Sequence, residues 1–386
     1  MRFRFTEEEE ALRAKARAFA EAEVAPAVRA MEATDAFPRA LVDAMAREGL
    51  LGLPVPAAWG GGGYGMVAYM LALEEISRVS AAAGVILAVH TSVGTLPIVY
   101  HGTEAQKRRC LPLLASGAWL GAFALTEPHA GSDASTIRTT AARDGDDYVL
   151  TGTKVFITNA GEADQYVLFA VVPGEPGAAQ PSGTKPRAGG GITAFLVGKD
   201  TPGFAVGRKE RKTGLRGSNT CELILEEARV PAAQRLGGEG EGFRIAKSAL
   251  SGGRIGIGAQ ALGIARAALA LAEAELPRVP RSLRGEAAAE LEGLAAQVEA
   301  AALLVYRAAD LLRRGRPCAK ESSMAKLAAS DAAVRVASRT LQWCGPDALT
   351  EAHPAERLFR DAKVTQIYEG TNEIHRIVIS GELLKS

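Results

Sequence analysis

Two stretches carry residue types that could do chemistry together. The first is Ala124-Leu-Thr-Glu-Pro-His-Ala-Gly-Ser-Asp133. Here Gly131, Ser132 and Asp133 allow backbone amides and short hydroxyls to approach a phosphate or a flat ring closely. Taken alone, the pattern fits an ordinary turn before a strand at least as well. The second is Arg360-Asp-Ala-Lys-Val-Thr-Gln-Ile-Tyr-Glu-Gly-Thr-Asn-Glu-Ile-His-Arg376. Glu369 falls between a helix predicted to end at Tyr368 and another starting after Thr371, a spacing that suits an N-cap. A carboxylate on such a bend can project into a cavity, although a solvated glutamate between two helices has the same spacing. His129 reads as a surface or supporting histidine, and His375 and Arg376 as a solvated helix face.

The elements that must position these residues fall into three blocks. From Thr6 to about Arg109 the chain reads as helix, opened by a Thr6/Glu9 capping box and an apolar spacing through Leu12, Ala16, Phe19 and Ala20. A Gly-rich break at Pro54 to Gly65 interrupts it. Beyond the break, Met70, Leu71, Leu73, Ile76 and Val79 predict a helix with one buried face. Between Gly121 and about Val230, short β-branched and aromatic runs predict strands at Tyr148 to Leu150, Lys154 to Thr158, Tyr166 to Val172, Ile192 to Val197 and Cys221 to Leu225. Pro173 to Gly191 reads as a solvated loop. After Gly242 three or four long helices are expected to form a bundle, with Leu303, Leu304, Ala308, Leu311 and Leu312 tracing a buried face. The domains expected are 1–120 helical, 121–233 β and 234–386 helical.

Composition narrows the function classes. The 386 residues, 47% hydrophobic and 23% charged, can bury more than one core. Forty-five basic against forty-four acidic residues give a charge of +1, which supplies no long-range field for nucleic acid. The N-terminus lacks the apolar core of a signal peptide, and no later charge-free run is predicted to be long enough to span a bilayer. A cytoplasmic protein is expected. Cys110, Cys221, Cys318 and Cys344 show no paired spacing for zinc or a redox couple and are expected to be reduced.

The two stretches, in this order and far apart, resemble the signature regions of the acyl-CoA dehydrogenases. Further matches are Gly102-Thr-Glu-Ala-Gln-Lys107, Lys154-Val-Phe-Ile-Thr-Asn-Ala-Gly161, Gly214-Leu-Arg-Gly-Ser-Asn-Thr220, Gly240-Glu-Gly-Phe243 and Gly252-Gly-Arg-Ile-Gly256. The resemblance covers almost the whole chain. It implies an α+β fold with an N-terminal helical domain, a middle β-barrel and a C-terminal four-helix bundle, assembled as a homotetramer. It also implies FAD between barrel and bundle, an acyl-CoA substrate and an electron-transfer flavoprotein as partner. Glu369 would be the catalytic base. Phe123, Leu125, Thr126, Ser132, Phe156, Thr158, Gly370, Thr371 and Glu373 would contact the cofactor, with Gln342 and Gly345 at a further contact. Ser132, Ser251 and Arg254 would touch the CoA part of the substrate. One branch of the family carries its base on the helix near Arg254, but Ser251-Gly252-Gly253-Arg254 offers no carboxylate. The chain departs from the family at Leu276 to Gly285, where Arg281 or Arg284 is left as phosphate partner, and at Gln342 to Ala348, where Pro346 removes a backbone donor. The resemblance also leaves open an acyl-CoA oxidase-like enzyme, or a CoA-thioester-binding protein with an eroded flavin site.

Overall fold

The computed structural model describes residues 4–174 and 190–385. Its N-terminal helices are α1 (Glu7–Phe19), α2 (Ala25–Thr34), α3 (Arg39–Arg47), α4 (Met66–Val79), α5 (Ala81–Ala88), α6 (Leu96–His101) and α7 (Glu104–Ala115). The Thr6/Glu9 box closes α1 with reciprocal bonds of 3.2 and 2.8 Å. A second box, Thr103/Gln106, opens α7, and the Gln106 amide reaches on to the carbonyls of Ala233 and Arg235. Two π-helical turns, Ala20–Val24 and Val89–Thr95, join α1 to α2 and α5 to α6 without a break.

Helix α4 departs from the one-sided stripe expected of it, because it is covered on nearly every side. Even Glu74 and Glu75 are buried. They are tolerated because Arg13, Arg17 and Arg78 surround Glu75, while Arg266 and Tyr306 take Glu74. Burial would raise the Glu75 carboxyl, but these arginines hold it down at about 2.

The middle region is one eight-stranded sheet: β1 (Gly121–Ala124), β2 (Thr140–Asp144), β3 (Asp147–Thr158), β4 (Gln165–Pro173), β5 (Gly190–Gly198), β6 (Phe204–Lys209), β7 (Thr220–Pro231) and β8 (Arg235–Leu236). Its order is β6-β7-β3-β2-β4-β5-β8, with β1 parallel to β4. The two short runs expected at 148–150 and 154–158 are one bulged strand. The predicted 173–191 loop lies outside the described residues except at its ends, where Pro173 pairs with Gly190. Along β4, Tyr166, Leu168 and Ala170 join a core made of sheet-domain residues alone. Val167 and Phe169 face a second core shared with α7 and the next helix. A single sheet that buries one whole face against itself must curl, as a barrel does.

The third region holds α8 (Gly242–Glu275), α9 (Arg284–Arg313), α10 (Ala319–Trp343), α11 (Pro354–Val364) and α12 (Asn372–Leu383). The bundle thus has three long helices closed by two short ones. The buried face of α9 is Val298, Ala301, Ala302, Val305, Ala308 and Ala309, whereas Leu303 is 50% exposed. Leu291 and Leu294 lie on the same buried face, so leucine misleads only in the C-terminal half of α9, where alanines take the inner positions. Two helical stretches, Ala81–His101 and Gly242–Arg278, are long and apolar enough to cross a membrane by length and composition alone. The fold buries 94% and 78% of their most apolar windows as core helices. All four cysteines are free. Asp361 of α11 ties bundle to sheet domain by accepting the Leu215 N–H at 2.6 Å. The fit is tight, since a Cβ on Gly214 would lie 2.7 Å from the Arg360 carbonyl.

Candidate active site

Helix α11 ends at Val364 and α12 starts behind Thr371, whose hydroxyl accepts the Ile374 N–H as N-cap. The cap therefore belongs to Thr371, and Glu369 is left on the bend before it. Glu369 and Gly370 both have left-handed backbones, φ +52° and +97°. For a glutamate this costs on the order of 1 kcal/mol, so something must hold it there. The bend presses the carboxylate onto α8, where a Cβ on Gly253 would lie only 1.7 Å from Glu369 Oε2. That oxygen is shut off from solvent and has no hydrogen-bond partner among the described residues. Burial pushes the carboxyl up to about 7, partly opposed by the charges of Arg254 and Lys326.

Around this carboxylate the helices supply polar groups in matched pairs. Lys326 of α10, fully buried, donates to the Gly370 carbonyl at 2.8 Å and to Asn372 Oδ1 at 3.0 Å. Asn372 in turn donates to Ser330 and Asp331. The Tyr368 hydroxyl meets the Gln260 side-chain carbonyl, whose amide donates to the Ala81 carbonyl at 2.7 Å. Tyr69 and Ser92 pair at 3.3 Å, and Ser92 Oγ would lie 3.2 Å from a Cβ on Gly256. This side of the site is thus walled by α4, the second π-helical turn and α8. The same turn reaches the sheet, for Gly94 lies against Gly121 so closely that a Cβ would meet its carbonyl carbon at 2.8 Å. Arg254 is half-buried beside Glu369, and burial holds its guanidinium below the usual value. It donates weakly to Ser323, and its Nε has no partner among the described residues. Ser251 spends its hydroxyl on the Lys247 carbonyl.

The other stretch is organised by a buried ion pair that sequence reasoning missed. Lys154 Nζ, wholly buried, donates to Glu127 Oε1 at 2.8 Å and to the Leu125 carbonyl at 3.1 Å. Glu127 also accepts the backbone N–H groups of Arg138 and Thr139 and the Thr139 hydroxyl. Burial would raise Glu127, but Lys154 and these donors hold it below the usual carboxylate range. Burial lowers Lys154 to about 8 against the pull of Glu127. With Val155 donating to the Thr126 carbonyl at 3.0 Å, this pair brings Phe123, Leu125 and Thr126 against Phe156 to Thr158. Ser132 lies exposed in the same loop.

Phe156 stands out there. It sits in the β3 bulge with φ +58° and is 63% exposed. An aromatic ring left mostly exposed on a strained bend is poorly covered by the chain, and a flat ligand ring laid on it would bury its face. The site therefore fits a planar cofactor.

Gly370, Thr371, Glu373 and Arg254 gather around Glu369. Gln342 and Gly345 do not. Gln342 lies sixteen residues beyond Lys326 on α10, roughly 24 Å along the axis, and is exposed. Arg284 is occupied in bonding the carbonyls of Pro277 and Val279, while Arg281 is exposed. His375, expected on a solvated face, is fully buried against Gly370. His129 is partly exposed, 3.5 Å from Glu127. Lys326 and Gly253 were also missed. Gly253 could have been suspected as a helix-breaking residue in mid-helix, where only close approach of another group explains it.

Comparison with known proteins spans nearly the whole chain. Sequence models of the acyl-CoA dehydrogenase N-terminal, middle and C-terminal domains match residues 6–118, 122–228 and 240–384. A short-chain specific acyl-CoA dehydrogenase of Clostridium acetobutylicum strain ATCC 824 is 42% identical over 392 residues, covering 100% of both chains. A structure described as an electron transferring flavoprotein of Acidaminococcus fermentans contains a chain of 42% identity with a TM-score of 0.94, each covered fully. An acyl-CoA dehydrogenase complexed with FAD from Bacillus anthracis superposes with a TM-score of 0.90 at 32% identity, covering 99% of this chain and 68% of that one.

Proposed function

The chain belongs to the acyl-CoA dehydrogenase family, and from that premise we propose that it is an FAD-dependent enzyme converting a short acyl-CoA thioester to its trans-2,3-enoyl-CoA, with the electrons passed on to an electron-transfer flavoprotein. The observation that carries the reading is the half-buried Glu369, whose Oε2 is shielded from solvent without a partner among the described residues and whose carboxyl is pushed up to about 7. A free carboxylate near its reference pKa of about 4.3 is too weak a base for a thioester α proton, and desolvation is what strengthens it. Once it has taken that proton, the neutral acid suits its buried surroundings. The Glu369 N–H, which finds no acceptor among the described residues, is placed to polarise the thioester carbonyl as charge develops there. The backbone from Phe123 to Ser132, with Phe156, Thr158, Gly370, Thr371 and Glu373, would hold FAD, which when bound accepts the hydride from Cβ. Gln342 and Gly345 are too far to share a contact with Gly370 and would serve a distal part of a cofactor. Ser132, Ser251 and Arg254 would face the CoA moiety.

A short acyl chain is favoured by the paired groups that close the α4 and α8 side of the site, Tyr368 with Gln260 and Tyr69 with Ser92, and by the short-chain relative. The working domains would be 1–120, 121–233 and 234–386. We read the assembly as a homotetramer, a reading supported by apolar Phe359, Ile367 and Ile377 left exposed around α11 and α12. A cytoplasmic place in fatty-acid β-oxidation follows from the proposed chemistry. The test is anaerobic bleaching of the flavin by butyryl-CoA. Glu369→Gln is expected to keep FAD and thioester binding and to slow bleaching roughly 10²- to 10⁴-fold. Wild-type bleaching in that variant would remove Glu369 as the base.

A further inference from the structure

A buried lysine is a costly residue, and no step of the proposed reaction uses the one on α10. Lys326 lies wholly inside the bundle on a face otherwise made of Ser322, Ser323, Ala325, Ala329, Ser330 and Ala333. Such a face could have been closed by an apolar side chain, and a desolvated ammonium is tolerated only where it is paired and fully hydrogen-bonded. Its acceptors are the Gly370 carbonyl, 2.8 Å away, and Asn372 Oδ1, 3.0 Å away, one and three residues beyond Glu369. Lys326 therefore grips the chain just after the strained residue, while Asn372 N donates to Gln366 O at 3.0 Å just before it. His375 packs against Gly370, where an added Cβ would lie 3.0 Å from its Cε1.

We propose that Lys326 is a positioning residue for Glu369: its ammonium locks the left-handed turn that aims the carboxylate past Gly253, and its charge favours the ionised carboxylate. This rests on the reading of Glu369 as the base. Burial lowers Lys326 to about 7, while Glu369 and Asp331 pull it up. The other groups facing it are Arg254 from α8, which opposes its charge, and Glu373 and His375 from α12. His375 is pushed down to about 3 by burial and stays neutral. Lys326 and Arg254 are thus the cations that oppose the burial of the carboxylate.

Two variants separate grip from charge. Lys326→Gln keeps an amide donor for the Gly370 carbonyl but loses the charge, and Lys326→Met loses both. In the flavin-loaded enzyme, anaerobic bleaching by butyryl-CoA is followed from pH 5.5 to 9.5, with flavin content and binding of a non-reacting CoA thioether measured alongside. Both variants should move the alkaline-rising limb upward by about 1 pH unit or more, because a nearby cation is gone. Only Lys326→Met should also lower the plateau, by about 10-fold or more, through lost aim. A limb and plateau unchanged in both variants overturns the proposal, as does a loss confined to flavin content with an unmoved limb in the loaded fraction. If Glu369→Gln itself still bleaches normally, the base assignment has failed instead. If Glu369→Gln is silent but the Lys326 variants match wild type, only the positioning role has failed.

Discussion

Replacing Gly253 by alanine tests the geometry of the site with one methyl group. The added Cβ would lie 1.7 Å from Glu369 Oε2 and 2.6 Å from its Cδ, whereas real Cβ atoms essentially never approach within 3.0 Å. The oxygen must therefore retreat by about 1.3 Å or more. Helix α8 cannot yield instead. Gly263 pins it against α4, where its own Cβ would meet the Glu74 carbonyl at 2.6 Å and the Arg78 nitrogen at 2.7 Å. A misplacement of about 1 Å costs on the order of 10²-fold in rate, or about 2.7 kcal/mol of barrier. The control is Gly252→Ala, one residue earlier, whose Cβ would meet only Leu312 at 3.8 Å. Alanine favours the helix at either position by up to about 1 kcal/mol, and melting temperatures measured for both variants separate a rate effect from the cost of the added contact. Stopped-flow bleaching of the flavin by butyryl-CoA is expected to be near wild type in Gly252→Ala and about 100-fold slower in Gly253→Ala. Equal rates in the two variants, with flavin bound in both, would show that the carboxylate does not work from where the structure places it.

Two further outcomes follow from the strain and burial in the site. Glu369 has a folded pKa of about 7, above its reference of 4.5. Its contribution to stability is therefore intact below pH 4.5 and lost as pH rises through 7, a loss of up to about 3 kcal/mol. Glu369→Gln should accordingly melt higher than wild type at pH 8.5 and equally at pH 4.5, and a variant that melts lower at both would contradict this sign. Phe156→Gly should relieve about 1 kcal/mol of backbone strain in the cofactor-free protein while weakening flavin retention. A lower melting temperature together with unchanged flavin affinity would mean that the exposed ring stabilises the fold and serves no ligand.

Residues that announce themselves by local pattern were legible in the sequence. The Thr6/Glu9 box, the five strand runs, the Gly-rich break and the bend at Glu369 all depend on neighbours a few positions away. What stayed hidden depends on partners distant in the chain. Lys326 reads as a solvent-facing residue because its neighbours at helical spacing are serine and alanine, which give no apolar stripe; its acceptors come 44 and 46 positions later. Lys154 and Glu127 are 27 positions apart, and neither looks buried until the sheet closes over both. Leu303 misled for the opposite reason, since close helix packing put alanines inside and left the leucine at the rim. His375 was taken for a surface residue although the turn it supports encloses it.

The bond between Asp361 and the Leu215 amide joins groups 146 positions apart. Asp361 stands eight residues ahead of Glu369, so the sheet domain grips the same short segment that presents the proposed base. During synthesis the sheet strands leave the ribosome long before this segment, and the Asp361–Leu215 contact can form only after α11 emerges. Docking and the shaping of the turn at Glu369 then arrive together, well after the sheet strands have been made. The turn that carries Glu369 therefore takes shape only once the sheet domain and α11 are both present.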